Sequence, residues 1–248
     1  MKNLVFLSFL LLATLLGTCA HAQTNDTYST QQGDLTVHPV NHGSIAFTFD
    51  GKTIFVDPFG GAELYSEFGA PDIIFITHTH GDHLDPETLN ALNTDNTIFV
   101  VPMAVVEQLD VPHQKIVVIQ NGNSTQVMRI PVSAIPMYNL PEDDPDSRHP
   151  KGRGNGYVID FGGQKVYISG DTEDIPEMRA LEGIDIAFVC MNLPYTMDIN
   201  QAADAVIEFQ PAVVYPYHHR GQDIREFKNL VDAAGVDVEV KLRDWYPE

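Results

Sequence analysis

The chain has 248 residues, 44% hydrophobic and 19% charged, enough apolar material for a packed core and too little charge for a disordered chain. Thirty-four acidic residues stand against 14 basic ones, giving a formal net charge of −20 with no Lys/Arg cluster to offset it. A field of that sign repels phosphate backbones and anionic lipid surfaces, which argues against a general nucleic-acid binder.

The chain opens like an exported protein. Lys2 supplies a positive start, Leu4 to Leu16 is an apolar run, and Ala20-His21-Ala22 fits a small-x-small cleavage site. Residues 1–22 therefore read as a signal peptide, with a periplasmic or secreted mature chain. The run falls short of the roughly 20 residues that span a bilayer, so no integral membrane segment is expected after cleavage. Thr18 before Cys19 fits a lipoprotein box poorly. Cleavage leaves Cys190 alone, so no internal disulfide can form, and its place in the apolar run Ile186–Met191 reads as a buried strand.

Residues 23–33 are polar and aperiodic and read as a flexible N-terminal lead, with 34–248 as one domain. Strand patterns follow at Leu35–Val40, Ser44–Phe49, Thr53–Val56 and Ile73–Thr77, the second and third joined by an Asp50-Gly51 hairpin turn. Further strands are predicted at Thr97–Val101, Lys115–Ile119, Gln126–Met137, Gly156–Phe161, Lys165–Ser169, Asp185–Cys190, Ala212–Tyr217 and Val236–Leu242. Helical patterns lie at Pro86–Leu92, Met103–Leu109, Ile175–Leu181 with Asp174 as cap, Gln201–Phe209 with Asn200 as cap, and Asp223–Ala234. Strands bunched early, then alternating with helices, describe two sheets flanked by helices in one layered domain.

A faint repeat runs through this order. Phe49 to Asp57 and Phe161 to Asp171 are each a strand, a tight glycine turn and a strand ending at aspartate, as two related halves would be. The irregular stretch Leu140–Asn155 sits between hairpin strands and reads as a functional loop.

The densest chemistry is Thr77-His78-Thr79-His80-Gly81-Asp82-His83, leaving the buried run Ile73–Ile76. His78 and His80 lie on one side of an extended chain and can reach one cation. Past the glycine turn, Asp82 and His83 point elsewhere and can hold a second. Neutral imidazoles and carboxylates suit zinc and comparable divalent ions.

His-x-His-x-Asp-His after a hydrophobic strand resembles the metallo-β-lactamase superfamily. Val56-Asp57-Pro58, Ser169-Gly170-Asp171-Thr172 and Pro216-Tyr217-His218 fall in the order that family expects. The pattern looks closest to small metal-dependent hydrolases that include ascorbate-phosphate lactonases, and it shares a Gly-Asp-Thr turn with N-acylphosphatidylethanolamine phosphodiesterases. The resemblance implies a four-layer αββα sandwich with the site along one edge and two divalent ions, zinc first, with Mn2+ or Fe2+ as alternatives. It implies His78 and His80 on one ion, Asp82 and His83 on the other, Asp171 as the bridge and His218 as the last histidine. Asp82 would also orient the nucleophilic water and help protonate the leaving group. For the third ligand of the first ion, Asn139 stands where the family places a histidine and could coordinate through its oxygen or orient a substrate, but His149, ten residues later, is favoured as the ligand, brought back by a flexible loop, and would otherwise contact substrate.

Other polar residues carry weaker expectations. Tyr195 could hydrogen-bond an oxyanion or pack over a helix N-terminus. Arg148, Lys151 and Arg153 could attract an anionic small-molecule substrate or decorate a loop. His219 would point to the opposite face from His218, behind the ligands or solvated, with substrate contact as the weaker reading. His38, His42 and His113 stand alone and read as structural or surface residues. The expected activity is hydrolysis of an ester, lactone or phosphodiester. The alternatives are a mononuclear redox or thiol enzyme, a non-catalytic metal- or ligand-binding protein, and a true β-lactamase, since fold alone does not fix chemistry. Nothing in the sequence indicates the oligomeric state.

Overall fold

A computed structural model of the chain describes residues 25–109 and 115–246. The signal peptide at 1–22, Cys19 and His113 lie outside the described residues. Strands β1 (Asp26–Thr30), β2 (Gly33–Asn41), β3 (Ser44–Phe49), β4 (Lys52–Val56), β5 (Ile73–Phe75), β6 (Ile98–Val101) and β7 (Lys115–Val118) form one sheet in chain order. The second holds β8 (Ser124–Val127), β9 (Ile130–Met137), β10 (Gly154–Phe161), β11 (Gln164–Ile168), β12 (Ile186–Cys190), β13 (Val213–Tyr217) and β14 (Glu239–Val240), again in chain order. In each sheet the first four strands are antiparallel and the last four parallel, the fourth shared between the two regimes. The two glycine hairpins of the sequence repeat, β3–β4 and β10–β11, occupy matching places.

Strand periodicity sorts the side chains into layers. Ile54, Val56, Ile73 and Phe75 face the second sheet, where Phe47 meets Phe161 with ring centroids 5.3 Å apart and Phe75 meets Tyr157 at 5.1 Å. The alternate residues Phe55, Ile74 and Phe99 face outward and form a separate cluster with Leu89 of α1 (Pro86–Ala91) and Val105 of α2 (Met103–Val106). The other sheet is covered by α3 (Pro176–Arg179), α4 (Ile199–Phe209) and α5 (Ile224–Ala233) through Met178, Ala202, Val206, Phe209, Phe227 and Val231. Helices, sheet, sheet and helices make four layers, the expected αββα sandwich. No helix among the described residues is long and apolar enough to cross a membrane.

Four local expectations need correction. Residues 26–30, read as part of a flexible lead, form β1 on the edge of the first sheet. Asp26 there accepts from Arg243 and Lys241, and the Tyr28 and Tyr215 hydroxyls lie 2.6 Å apart. Long-range polar contacts of that kind leave no apolar alternation in the sequence. Gln126–Met137 is two strands, because Met128 and Arg129 take φ of 47° and 69° and close a two-residue turn. Helix α4 starts from Asp198, not Asn200, in a capping box with Gln201. Asp174 does not cap α3; its carboxylate instead accepts from Arg179 at 2.6 Å.

The arrangement brings the carboxyl ends of β4, β5, β11 and β13 to one edge of the sandwich, where open sheets of this class bind ligands.

Candidate metal centre

Each chemistry-bearing residue follows the end of a strand. Asp57 comes after β4, the 78–83 motif after β5 and Thr77, His149 from the β9–β10 loop, Asp171 after β11 and His218 after β13. Asp57, His78, His83, His149, Asp171 and His218 are all buried, and His80 and Asp82 are partly exposed.

Three groups of ligand atoms converge among the described residues: two share Asp171, and the third, His42, Asp82 and His218, shares His218 with the second. In the first, His78 Nε2 lies 3.0 Å from His80 Nδ1, which lies 3.2 Å from His149 Nε2. Asp171 Oδ2 stands 3.5 Å from His149 Nε2 and 4.0 Å from His78 Nε2. In the second, His83 Nε2 and His218 Nε2 are 3.0 Å apart, and Asp171 Oδ1 is 3.4 and 3.5 Å from them. Asp82 Oδ2 joins at 3.6 Å from His218 Nε2. Ligands about 2.0–2.1 Å from a tetrahedral ion sit about 3.3 Å from one another, the spacing found in the first two groups. Asp171 presents one oxygen to each of these two, and its buried Oδ1 has no hydrogen-bond donor. A buried carboxylate oxygen without a donor is costly unless a cation meets it, so the donor set fits two divalent ions.

Residues behind the imidazoles fix which nitrogen faces inward. Asp57, fully buried, lies 2.7 Å from His83 Nδ1 and accepts from the Thr77 amide and hydroxyl at 2.7 and 2.6 Å. With that hydroxyl committed to Asp57, the Thr77 oxygen accepts from His78 Nδ1 at 3.0 Å. Asn139 Oδ1 accepts from His149 Nδ1 at 2.9 Å and from its amide at 3.0 Å. In each case Nδ1–H is spent on the protein and Nε2 is left free for a metal. His149 thus reaches the cluster of ligand-type atoms, and Asn139 lies behind it, hydrogen-bonded to its Nδ1.

The charges are arranged to match. Burial and the neighbouring imidazoles hold His78 neutral well below the usual histidine range, and burial with His149 pushes His80 down to about 4. Burial would raise Asp171, but His218 and His83 outweigh it and hold the carboxyl well below its usual range. Asp82 is likewise held low, burial being overcome by hydrogen bonds from His218 and His42. At His83 burial, which lowers the pKa, is outweighed by Asp171 and Asp57, which raise it; a cation held at Nε2 would compete with a proton there.

Sequence reading missed His42. It is buried, with Nε2 3.1 Å from Asp82 Oδ2 and Nδ1 3.0 Å from the Tyr246 hydroxyl, which accepts from the Arg220 amide at 2.7 Å. His42, Asp57 and His218 all take positive φ, of 57°, 45° and 47°. Left-handed backbone costs a non-glycine residue about 1–2 kcal/mol, and such strain gathers at functional sites. Gly43 was a readable signal only in hindsight: a Cβ there would stand 2.9 Å from His218 Cδ2 and 3.2 Å from His83 Cε1. Gly43→Ala should therefore push both rings off the second group. Metal analysis after dialysis is expected to give about one equivalent less than wild type; an unchanged content would mean that the rings yield without losing the site.

The remaining expected residues lie around this centre. Arg148 and Arg153 line a cleft of about 50 Å³ with His78, His80 and His149. Tyr195 carries Arg148 over its ring at 4.4 Å, and its carbonyl accepts from Asn139 at 2.9 Å. His219 packs against Tyr246, centroids 5.0 Å apart, outside all three groups. On the opposite side a cavity of about 310 Å³ opens beside His42 and Asp82.

A family model described as the beta-lactamase superfamily domain matches residues 36–218. A metal-dependent hydrolase of Thermococcus onnurineus is 32% identical over 79% of this chain and 93% of its own length. The crystal structure of a candidate metal-dependent hydrolase from Parabacteroides distasonis aligns with a TM-score of 0.80 and 38% identity, over 90% of this chain and 99% of that one. A metallo hydrolase from Ignicoccus hospitalis, at 24% identity and a TM-score of 0.71 over 86% of this chain and 95% of that one, shares the fold. With the αββα layers, the strand-end ligands and these matches together, the chain belongs to the metallo-β-lactamase superfamily, among relatives described as metal-dependent hydrolases.

Proposed function

We propose that the protein is an exported hydrolase that uses two zinc ions to cleave an ester, lactone or phosphodiester of modest size. The observation that carries this reading is Asp171, whose two oxygens face separate histidine groups and so call for a pair of ions rather than one. Such a pair supplies a water that is nucleophilic near neutral pH and Lewis-acid stabilisation of the developing oxyanion.

The chain's own residues supply the rest. His78, His80 and His149 would hold one ion, His83, His218 and Asp82 the other, with Asp171 between them. Asp82, half out of the protein and hydrogen-bonded by His42, is placed to orient the attacking water and to pass a proton toward the leaving group. Its carboxyl is the ionised form that such a role starts from. Export is proposed on the leader-like segment at residues 1–22 alone.

The test is the metal-loaded mature chain assayed against p-nitrophenyl butyrate, a γ-lactone and bis-p-nitrophenyl phosphate, with metal content measured in parallel. Two zinc equivalents, hydrolysis of at least one substrate, loss on chelation and return on zinc addition are expected. A fully loaded protein inert toward all three would overturn the reading.

A further inference from the structure

The two clefts beside the ligand groups differ sharply in what they can hold. The one lined by Arg148 and Arg153 offers only about 50 Å³. The one on the Asp82 side offers about 310 Å³, within the range of small-molecule sites, and is lined by Asn41, His42, Phe59, Asp82, Arg220 and Tyr246. Of these two clefts, the larger has the room for a substituent of a substrate whose reacting centre sits against the ligand groups.

That space has a definite chemistry. Phe59 and Tyr246 make aromatic walls around His42, with ring centroids 6.1 and 5.4 Å from its own. The cavity's single cationic side chain is Arg220. Elsewhere in this acidic protein Lys151, Arg179, Lys241 and Arg243 are committed to carboxylates, while Arg220 is exposed and makes no salt bridge among the described residues. Its backbone, at a φ of 36°, is held by the hydrogen bond that its N–H donates to the Tyr246 hydroxyl, so the root of the side chain is fixed beside the cavity. The one acid among the lining residues, Asp82, is hydrogen-bonded by His42 and belongs to the ligand end. Away from that end the cavity's charge is that of Arg220, which favours an anionic group there.

We propose that the substrate carries a carboxylate remote from its scissile bond, joined by a short apolar spacer that lies between Phe59 and Tyr246, and that Arg220 is the specificity residue that receives it. A guanidinium binds a carboxylate through two parallel N–H···O bonds, which sets orientation as well as charge. This inference rests on the hydrolase reading above for the position of the scissile bond.

The experiment compares mono-p-nitrophenyl glutarate with p-nitrophenyl valerate, equal in acyl length and differing in the terminal carboxylate, on the zinc-loaded protein. Wild type should prefer the glutarate ester. Arg220→Ala should reduce that preference by about 10- to 100-fold, mainly through KM, since a hydrogen bond to a charged partner is lost. Arg220→Lys should restore part of it, and Arg225→Ala, on the exposed face of α5, should leave the ratio as it was. Calorimetric titration with glutarate supplies a readout independent of turnover, and Arg220→Ala should weaken binding by a similar factor. An unchanged ester preference, or glutarate affinity that survives Arg220→Ala because the ligand sits on zinc, overturns the proposal. If neither ester is cleaved, the glutarate titration alone decides the subsite, and the hydrolase reading stands or falls by its own three-substrate assay.

Discussion

Replacing Asp171 with Ala should leave a folded protein that holds less than two equivalents of metal and turns over about 10²- to 10³-fold more slowly. The size follows from the several kcal/mol that paired ions contribute to a charged transition state, at one decade for each 1.36 kcal/mol. Among the described residues only this carboxylate offers an oxygen to both of the groups that share it, so no other side chain there is placed to compensate. Asp171→Asn, which keeps the shape and removes the charge, should fall between the variant and wild type in metal content. Metal analysis after dialysis together with kcat/KM checks both. An Asp171→Ala protein with two ions and the wild-type rate would remove the bridge from the account.

The second large effect is expected at Asp57, which faces none of the inward ligand atoms. It is fully buried and takes three hydrogen-bond contacts, from His83 Nδ1 and from the Thr77 amide and hydroxyl. Asp57→Ala strands all of them in the interior, for a cost of about 3–5 kcal/mol, which for a chain of this size lowers Tm by roughly 6–20 °C. Metal affinity should fall by about 10- to 100-fold as His83 loses its orientation. Calorimetric melting of the metal-free variant separates the two consequences, since the stability loss should persist there. A metal-free Tm equal to that of wild type would show that Asp57 acts through the ions alone.

How much of this was readable depends on how far each residue acts along the chain. His78, His80, Asp82 and His83 are neighbours in sequence, so their chemistry announced itself. Asp171 and His218 were legible only because a family pattern supplies their order, for a lone Gly-Asp or Tyr-His pair has no signature of its own. Asp57, Asn139 and His42 work through partners 26, 10 and 40 residues away, and their roles exist only once the strand ends meet. Arg220 is an ordinary surface arginine until a cavity forms beneath it. The fold shows the same divide. Strands with alternating apolar faces were found, whereas β1 is built on a carboxylate, a tyrosine and their distant partners. The turn at Met128-Arg129 went unseen because it lacks the glycine or asparagine that usually marks left-handed backbone.

The pairing of two like-ordered sheets has a consequence for how tightly any ion is kept. Asp57, His78, His80, Asp82 and His83 come from the first seven strands and their loops; His149, Asp171 and His218 come from the second seven. Neither sheet alone carries a complete coordination sphere, so an ion at either place rivets one half of the molecule to the other. Loosening the seam and releasing the cations are then coupled in both directions: part of the affinity for metal is the docking free energy of the halves, and chelation should be felt as a slackening of the whole sandwich.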